Sequence, residues 1–151
     1  MIDPVVRTAT AFDEHQLREL ELEARAALVD QRGGERWLIE HPTIGDQWAA
    51  RCTDADVFVG VIDEVVVVAY IVAELGDDAI VRIDQVWVTP AARELGFGDE
   101  LLATVIGSAR QRGAVGVEGQ ALPGDRHTKN LYERAGIVAR LITTFRRLEP
   151  S

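Results

Sequence analysis

Hydrophobic residues recur along this chain with two different periods, one typical of strands and one typical of helices. Residues 5–9 predict a short first strand. A helix is predicted from Asp13, its N-cap, to Gly33-Gly34, because apolar side chains then recur three or four residues apart. These apolar positions are Leu17, Leu20, Ala24 and Leu28. Residues 35–52 predict one or two short helices.

Three strands are predicted next, over residues 57–62, 65–75 and 79–88. Asp63-Glu64 separates the first two as a two-residue hairpin loop, without the glycine that such loops favour. The run from Val65 to Val72 is apolar on both faces. Such a strand is typical of the centre of a sheet that is covered on both sides.

The rest of the chain predicts two further pairs of a helix and a strand. One helix begins after Gly98 and ends at Gly113, and a strand follows over residues 114–121. Residues 128–135 predict a short helix, and residues 137–148 predict a final strand. This order of elements describes an α/β sandwich with a mixed sheet.

Composition narrows the class of protein. Apolar residues make up 47% of the chain and charged residues 27%, which is typical of a globular domain. No apolar stretch reaches the ~20 residues of a membrane-spanning helix, and the N-terminus lacks the pattern of a secretory signal. The single Cys52 excludes an internal disulfide, and with three histidines it makes no zinc site. We therefore expect one cytoplasmic domain, residues 1–151, without a metal.

The net charge of −9 disfavours nucleic acid as a partner. Residues 1–80 hold six arginines against seventeen carboxylates, whereas residues 81–151 hold ten bases against eight acids. An acidic first half beside a mildly basic second half would suit a cationic substrate and an anionic cofactor. The alternative is that the acidic surface only keeps the protein soluble.

The strongest local signal is the passage from a strand into a helix over residues 86–98. Gly96 and Gly98 lie where this helix begins. A helix that starts at a glycine-rich loop directs unpaired N–H groups and the positive end of its dipole toward one point. This geometry suits a diphosphate. Glycines that only serve the turn are the alternative.

The same passage resembles the coenzyme A signature of the GNAT family of N-acetyltransferases. The residues that carry the likeness are Val88-Thr89-Pro90, Arg93-Glu94-Leu95-Gly96-Phe97-Gly98 and Leu101-Leu102. A second family signature is similar to residues 125–137, with Asn130-Leu131-Tyr132-Glu133 at its centre. The predicted order of elements is also similar to that of the family.

The resemblance implies a mixed, mostly antiparallel sheet with helices on both faces and a V-shaped splay between the fourth and fifth strands. Acetyl-CoA would bind in this splay. Backbone groups of Val86, Trp87 and Val88 would pair with the pantetheine arm. The residues that would hold the rest of the cofactor are Arg93, Glu94, Leu95, Gly96, Phe97, Gly98, Asp99 and Asp125. Asp125 stands where the family usually has asparagine.

Acetyl transfer to an amine requires a group that takes the ammonium proton and one that protonates the departing thiolate. The resemblance places the Tyr132 hydroxyl near the thioester sulfur as the acid. Glu118 is the candidate base, because alternation puts it on one face of its strand with Gln120, where some members carry glutamate. Asp84 and a water molecule are the other candidates. A solvated or salt-bridged role for Glu118 also stays open.

The predicted function is transfer of an acetyl group to a primary amine by direct attack in a ternary complex. The alternative is a catalytically silent acyl-CoA-binding or interaction domain of the same fold. A dinucleotide-binding domain is disfavoured, because Leu101 stands where its third glycine belongs. The acceptor is expected to be a small-molecule or peptide amine, with no nucleic acid or membrane as partner. Apolar residues of the final strand suggest a homodimer.

Overall fold

The computed structural model describes residues 3–150, which form five strands and five helices with three short 3-10 turns. The strands are β1 (Val5–Thr8), β2 (Asp56–Ile62), β3 (Val66–Leu75), β4 (Ile80–Val88) and β5 (Gly116–Glu118). The helices are α1 (Glu14–Leu28), α2 (Gly34–Glu40), α3 (Trp48–Asp54), α4 (Phe97–Gln111) and α5 (Arg126–Arg134). The 3-10 turns are Ala11–Asp13, Gly45–Gln47 and Pro90–Ala92.

The five strands form one sheet in the order β1-β2-β3-β4-β5. Neighbours from β1 to β4 are antiparallel, and β5 is parallel to β4. The pairing of β4 with β5 covers only Ile80–Arg82, so the rest of β4 has a strand on one side alone. The predicted mixed sheet and the splay between its fourth and fifth strands are confirmed.

Helices cover both faces of the sheet, as predicted. On one face α4 and α5 bury residues such as Ile71 and Leu101, and on the other α1 and α3 bury Leu17, Trp48 and Tyr70. β3 lies between these two cores, and every side chain from Val67 to Ala73 is buried. Because burial of one large apolar side chain contributes about 1.5–3 kcal/mol, this double coverage stabilises the strand that supports β4.

The hairpin between β2 and β3 has the predicted two-residue loop. Asp63 and Glu64 both adopt positive φ, at 54° and 65°, and Val65 donates its N–H to Ile62 O at 3.3 Å. These are the dihedral signs of a type I′ turn, whose twist matches that of the flanking strands. The turn forms although its side chains disfavour the left-handed region, because the two long strands determine it.

Two predicted strands differ from the structure. β5 spans three residues instead of 114–121, because it loses its hydrogen-bonding neighbour where β4 diverges. The strand predicted over 137–148 is wrong for the described chain. Residues 138–150 are exposed, have no regular structure and make no recorded backbone hydrogen bond. Their apolar pattern suits a strand, but a strand also needs an adjacent edge to pair with.

The boundaries of α1 also differ. α1 ends at Leu28 rather than at Gly33-Gly34, and Gly34 already begins α2. Asp13 precedes α1 as predicted, but its carboxylate does not cap that helix. It accepts two hydrogen bonds from the Arg7 guanidinium at 2.8 Å and one from the Thr10 N–H at 2.9 Å. The carboxylate thus ties β1 to the turn before α1.

Candidate active site

The loop between β4 and α4 brings together the residues of the predicted phosphate site. After the Pro90–Ala92 turn the backbone is extended at Arg93, left-handed at Glu94 (φ 69°) and left-handed again at Gly96 (φ 89°). α4 then begins at Phe97. Glycine is favoured at position 96, because a residue with a Cβ adopts this conformation only at an energetic cost.

This loop leaves a series of amides without partners. In the described chain the N–H groups of residues 94–99 donate to no acceptor, and the first bond of the helix runs from Glu100 N–H to Gly96 O at 3.1 Å. They lie at the positive end of the 15-residue helix α4. Unpaired donors at a helix N-terminus are a ready site for an anion. The loop therefore fits the pyrophosphate of a coenzyme A molecule.

The other glycines near this loop allow close packing. A Cβ on Gly98 would lie 3.0 Å from Leu131 Cδ1, so glycine lets α5 contact the first turn of α4. A Cβ on Gly60 would lie 2.6 Å from Phe97 Cδ1, so the buried Phe97 ring rests on the backbone of β2. These contacts hold the start of α4 against the sheet.

Charged side chains of both signs surround the loop, and Glu94 and Glu100 have no ion-pair partner within the described residues. Asp99, whose charge opposes that of a phosphate, has the Arg134 Nε 3.0 Å from its carboxylate. The Arg93 guanidinium forms no ion pair within the described residues and lies 4.8 Å from the centre of the Trp87 ring. Burial, with the positive charge of Arg93 nearby, lowers the pKa of His127. Arg93 is therefore a cation available to the loop.

The edge of β4 beyond Arg82 presents backbone groups to the splay. Thr89 donates its N–H to Val68 O at 2.9 Å, so the N–H of Thr89 points toward β3. Because N–H directions alternate along a strand, those of Val86 and Val88 point to the side that β5 has left. The Val88 carbonyl accepts a hydrogen bond from Arg93 Nε at 3.1 Å. Val86 thus offers both its donor and its acceptor to a ligand.

Tyr132 lies on α5 beside this splay and is 6% exposed. A Cβ on Gly119, the residue after β5, would lie 2.8 Å from the Tyr132 hydroxyl. That hydroxyl makes no hydrogen bond within the described residues. Burial, aided by the negative charge of Asp125, raises the pKa of Tyr132 above its usual value. The phenol therefore stays protonated as a hydrogen-bond donor.

Asp125 has a structural task of its own in the described chain. It is the N-cap of α5, and its carboxylate accepts from Thr128 N–H at 3.2 Å and from Thr128 Oγ1 at 2.7 Å. Such a cap is worth about 1 kcal/mol. Asp125 thereby supports the short helix that carries Tyr132.

The candidate bases lie on the sheet face that α1 and α3 cover. β4 has a bulge at Asp84, because Val72 pairs with Gln85 while the next residue of β3 pairs with Ile83. Bulges are frequent next to active sites, where they redirect a side chain. The Asp84 carboxylate is half-buried and lies 3.4 Å from the Arg51 guanidinium.

Glu118 lies at the apex of the splay, opposite Arg82 in the register of β4 with β5. Its exposed carboxylate is 3.4 Å from Arg82 Nε, and the same arginine binds Asp78 at 2.7 Å. The salt-bridged role left open for Glu118 therefore describes its contact in this structure. Gln120, two residues further, is exposed.

Cys52 and the aromatic residues of the first half of the chain lie in different surroundings. Burial raises the pKa of the Cys52 thiol, with Asp13 and Glu14 adding to the effect, which disfavours a reactive thiolate. Among the aromatic residues, Trp48 is fully buried in the core and Phe12 is 98% exposed. Trp37 is half-buried and stacks on His41, with the ring centres 4.1 Å apart.

One buried polar residue near the site was missed by the sequence analysis. Glu21 lies on α1 between the core positions Leu20 and Ala24 and is completely buried. The signal was present, because residue 21 falls on the apolar face defined by Leu17 and Leu28. A charged residue on such a face requires partners inside the protein. Which partners it has could not be inferred from helical spacing.

Comparisons with known proteins identify the family of this chain. The model of the Acetyltransferase (GNAT) family matches residues 14–137. The chain therefore belongs to the GNAT family of acetyltransferases. A search of curated proteins finds no match to the sequence.

Several solved structures share the fold. A mutant of the BH1408 protein from Bacillus halodurans is 19% identical with a TM-score of 0.81, covering 96% of this chain and 99% of that one. PaiA N-acetyltransferase from Thermoplasma acidophilum in complex with coenzyme A is 12% identical with a TM-score of 0.72, covering 89% of both chains. Aminoglycoside N-acetyltransferase AAC(6')-Iy in complex with CoA is 16% identical with a TM-score of 0.66, covering 95% and 100%.

Residues 3–150 contain neither a membrane-spanning helix nor a cluster of metal ligands. No helix in that range is both long and apolar enough to cross a membrane. No group of three or more His, Cys, Asp or Glu side chains there is arranged to hold a metal ion.

Proposed function

We propose that the protein transfers an acetyl group from acetyl-CoA to a primary amine by direct attack in a ternary complex. The observation that carries the proposal is the series of unpaired N–H groups over residues 94–99, next to the open edge of β4 at Val86. Acetyl-CoA supplies the thioester. The amine nitrogen forms a bond to the carbonyl carbon, the carbon–sulfur bond breaks, and the sulfur leaves with a proton.

Tyr132 is proposed as the acid of this reaction. Its protonated hydroxyl beside Gly119 has no protein partner in the described chain and is free to donate to a sulfur in the splay. Because the pKa of the phenol is raised, we expect hydrogen-bond donation as negative charge develops, with transfer of the proton late in the step. Arg93, Asp99, Asp125 and the remaining residues of the β4–α4 loop are proposed to hold the cofactor.

Glu118 and Asp84 are the two proposed bases, and paired variants separate them. Glu118→Gln and Asp84→Asn each remove one carboxylate at nearly constant size. The variant that removes the base should lower kcat/KM about 10²-fold and abolish the acidic limb of its pH profile. The other variant should change kcat/KM only slightly. If both profiles keep the limb, neither carboxylate is the base, and a water molecule takes the proton.

The acceptor is proposed to be cationic. Glu74, Asp84 and Glu118 all lie on the sheet face of α1 and α3, and residues 1–80 carry most of the negative charge. Two of the structural neighbours are an aminoglycoside acetyltransferase and a ribosomal-protein-alanine acetyltransferase, which supports an amine as acceptor. Carboxylates along a cleft concentrate cations, and salt screens that attraction.

The decisive experiment follows thiol release from acetyl-CoA with a panel of acceptors at low and high salt. The panel contains a polyamine, an aminoglycoside, a free amino acid, a peptide N-terminus and a neutral hydroxyl compound. We expect turnover with at least one cationic amine, and its KM should rise with salt. Preference for the hydroxyl compound would contradict the cationic acceptor. Binding of coenzyme A without turnover of any amine would establish the silent-domain alternative.

A homodimer through residues 138–150 is also proposed. Leu141, Ile142 and Leu148 are each about four-fifths exposed, and three arginines make this segment basic while the chain as a whole is acidic. A cavity of about 300 Å³, lined in part by Ile106, Val117 and Ile137, lies where the segment begins. Light scattering should give twice the 16.6 kDa of one chain. The variant Leu141→Ser with Ile142→Ser should be monomeric, and a monomeric wild type would contradict the dimer.

Two expectations from the sequence stay predictions. One is that residues 1–151 form a single acyl-CoA-binding domain, which limited proteolysis would test by the absence of a stable smaller fragment. The other is a cytoplasmic location, which fractionation of the source cells would test.

A further inference from the structure

The completely buried carboxylate of Glu21 connects two parts of the molecule that are distant in sequence. Its Oε1 accepts from Thr43 Oγ1 at 2.6 Å and from Gly45 N–H at 3.0 Å. Its Oε2 accepts from Ile44 N–H at 2.9 Å and from Gln85 Nε2 at 2.8 Å. Three of the four donors belong to the turn between α2 and α3, and the fourth belongs to β4.

Hydrogen bonds alone support this charge. No arginine or lysine of residues 3–150 forms an ion pair with Glu21. Burial by itself raises the pKa of the Glu21 carboxyl, but its four hydrogen bonds outweigh this effect and lower the pKa overall. The residue is therefore ionised and rigidly held, and each of its partners is held with it.

The partner on the sheet adjoins the bulge of β4. Gln85 follows Asp84, and the Gln85 side chain also accepts a hydrogen bond from the Tyr70 hydroxyl at 2.7 Å. Glu21 thus reaches β4 between the candidate base Asp84 and Val86, the residue that faces the proposed pantetheine arm. The thioester would lie against this part of β4.

Other contacts hold the remainder of the α2–α3 region to the same helix. Arg25, one turn after Glu21, donates to His41 O at 2.7 Å and to Leu38 O at 3.1 Å, so it fixes the end of α2. The turn before α2 reaches the far side of the splay, where a Cβ on Gly33 would lie 3.6 Å from Leu122. Residues 34–47 therefore extend from one side of the splay toward the other.

Glu21 contributes to stability, because an apolar residue at this position would leave its four donors without an acceptor. Stability alone does not describe its effect on geometry. The carboxylate also fixes geometry, because its hydrogen bonds hold the turn at residues 43–45 at one distance from Gln85.

We propose that residues 34–47 form the wall of the acceptor site and that Glu21 is the positioning residue that sets this wall against β4. This inference rests on the proposed acetyl transfer. The wall would determine which amines reach the thioester, and Glu21 would act through the wall without touching the substrate.

Variants with matched controls test this role. Glu21→Gln keeps the shape but turns an N–H₂ toward donors, whereas Glu19→Gln makes the same change at an exposed position of α1. Glu21→Gln should raise the KM for the amine at least about tenfold and change the ranking of amines in the panel. The affinity for coenzyme A, measured by calorimetry, should change less than about threefold. Glu19→Gln should behave as wild type.

A milder pair of variants at Thr43 tests the same role if Glu21→Gln does not fold. Thr43→Val removes one donor to Glu21, and Thr43→Ser retains it. Thr43→Val should raise the KM for the amine about threefold, and Thr43→Ser should restore the wild-type value. Hydrogen exchange at the amides of Ile44 and Gly45 should accelerate in Thr43→Val and in folded Glu21→Gln alike.

The outcomes separate this inference from the proposed function. If wild type transfers acetyl to no amine, the proposed function fails and the acceptor wall fails with it. If wild type is active and the folded Glu21→Gln or Thr43→Val variant keeps its KM and its ranking of amines, only the positioning role is overturned. A lower melting temperature with unchanged kinetics would show that Glu21 is purely structural.

Discussion

The two faces of the sheet present their polar groups to the splay in opposite ways. We call them the α4 side and the α1–α3 side. On the side of α4, the groups offered to a ligand are backbone N–H donors of residues 94–99, and they have no protein partner in the described chain. On the side of α1 and α3, the polar groups are carboxylates, and Glu21, Asp84 and Glu118 each already have a protein donor. The N–H donors on the α4 side lack protein partners, whereas each carboxylate on the α1–α3 side has one.

This difference teaches how each side would recognise a ligand. Unpaired donors at a helix N-terminus bind a diphosphate without breaking existing contacts, so cofactor binding requires little rearrangement. A cationic amine that approaches Asp84 has to compete with the Arg51 guanidinium, which is also paired with Glu74. In the proposed reaction, selectivity among amines would therefore depend on how the α1–α3 side is held, and three variants test the contrast.

The largest effect is expected from Gly96→Val, which disturbs only the unpaired side. Valine disfavours a φ of 89°, so several amides of the loop should turn away from the anion. Loss of two charge-assisted hydrogen bonds corresponds to about 3 kcal/mol, or roughly a 100-fold weaker affinity for coenzyme A by calorimetry.

Gly113→Val is the matched control for strain. Gly113 has a φ of 74°, lies just beyond the other end of α4 and has no atom within 4 Å of its Cβ position. Both variants should lose similar stability in urea unfolding, but only Gly96→Val should lose affinity. Equal affinities in the two would exclude this loop as the pyrophosphate site.

Tyr132→Phe should have the next largest effect, on rate alone. The ring and its packing remain while the donor to the sulfur is removed, so kcat should fall at least about tenfold with little change in coenzyme A affinity. Because the pKa of the phenol is raised, wild type should show no loss of kcat from its ionisation up to about pH 10. A parallel fall of kcat and affinity would make Tyr132 a binding or packing residue.

Gly119→Ala should shift the same hydroxyl without removing it. Its Cβ would lie 2.7 Å from Tyr132 Cζ and 2.8 Å from the hydroxyl, so the phenol has to shift. We expect kcat to fall about threefold to tenfold, less than in Tyr132→Phe. Gly116→Ala, at the start of β5, meets no atom within 4 Å and serves as the control. If both variants retain full activity, the position of the phenol is not critical.

A separate effect, on stability rather than on activity, is expected at the paired carboxylate of Asp13 beside the opposite edge of the sheet. Hydrogen bonds from Arg7 lower the pKa of Asp13, so its stabilisation is present above the ordinary aspartate pKa and is lost as the pH falls through the lowered value. At pH 7, Asp13→Asn should reduce the free energy of unfolding by about 1–3 kcal/mol, and the difference from wild type should shrink toward pH 2.

Glu40→Gln is the control for that loss of charge. Glu40 forms an exposed pair with Arg36 four residues earlier, worth at most about 0.5 kcal/mol. The two variants should therefore differ clearly in urea unfolding at pH 7. A difference between wild type and Asp13→Asn that stays constant with pH would refute the assignment.

Most of the fold could be predicted, and the failures have a common cause. The central strand β3 followed from apolar residues on both faces, and α4 followed from its repeat of leucines and its glycines. The end of β5 and the state of residues 138–150 could not be predicted, because pairing depends on whether a neighbouring edge is present. The prediction of a hairpin at Asp63-Glu64 was correct, because the pairing of the two strands outweighs the preference of such turns for glycine.

The site divides in the same way. Residues 93–98 could be proposed as the anion site from the sequence alone. A left-handed glycine before a helix leaves amides unpaired through local backbone conformation. Tyr132 was found through its motif, but its closeness to Gly119 was not. Glu21 was missed, because its partner Gln85 lies 64 residues away and helical spacing shows only that the residue is buried.

The sequence by itself determined the order of elements as far as α5, the glycine turn before α4 and the family, since these depend on local periodicity and on motifs of a few residues. Only the tertiary structure decided which carboxylates are paired, where β4 leaves β5 and what surrounds Tyr132. The physical reason is the range of the interactions. Backbone conformation is set by neighbours in sequence, whereas hydrogen bonds, ion pairs and burial of side chains join residues that meet only when the sheet has formed.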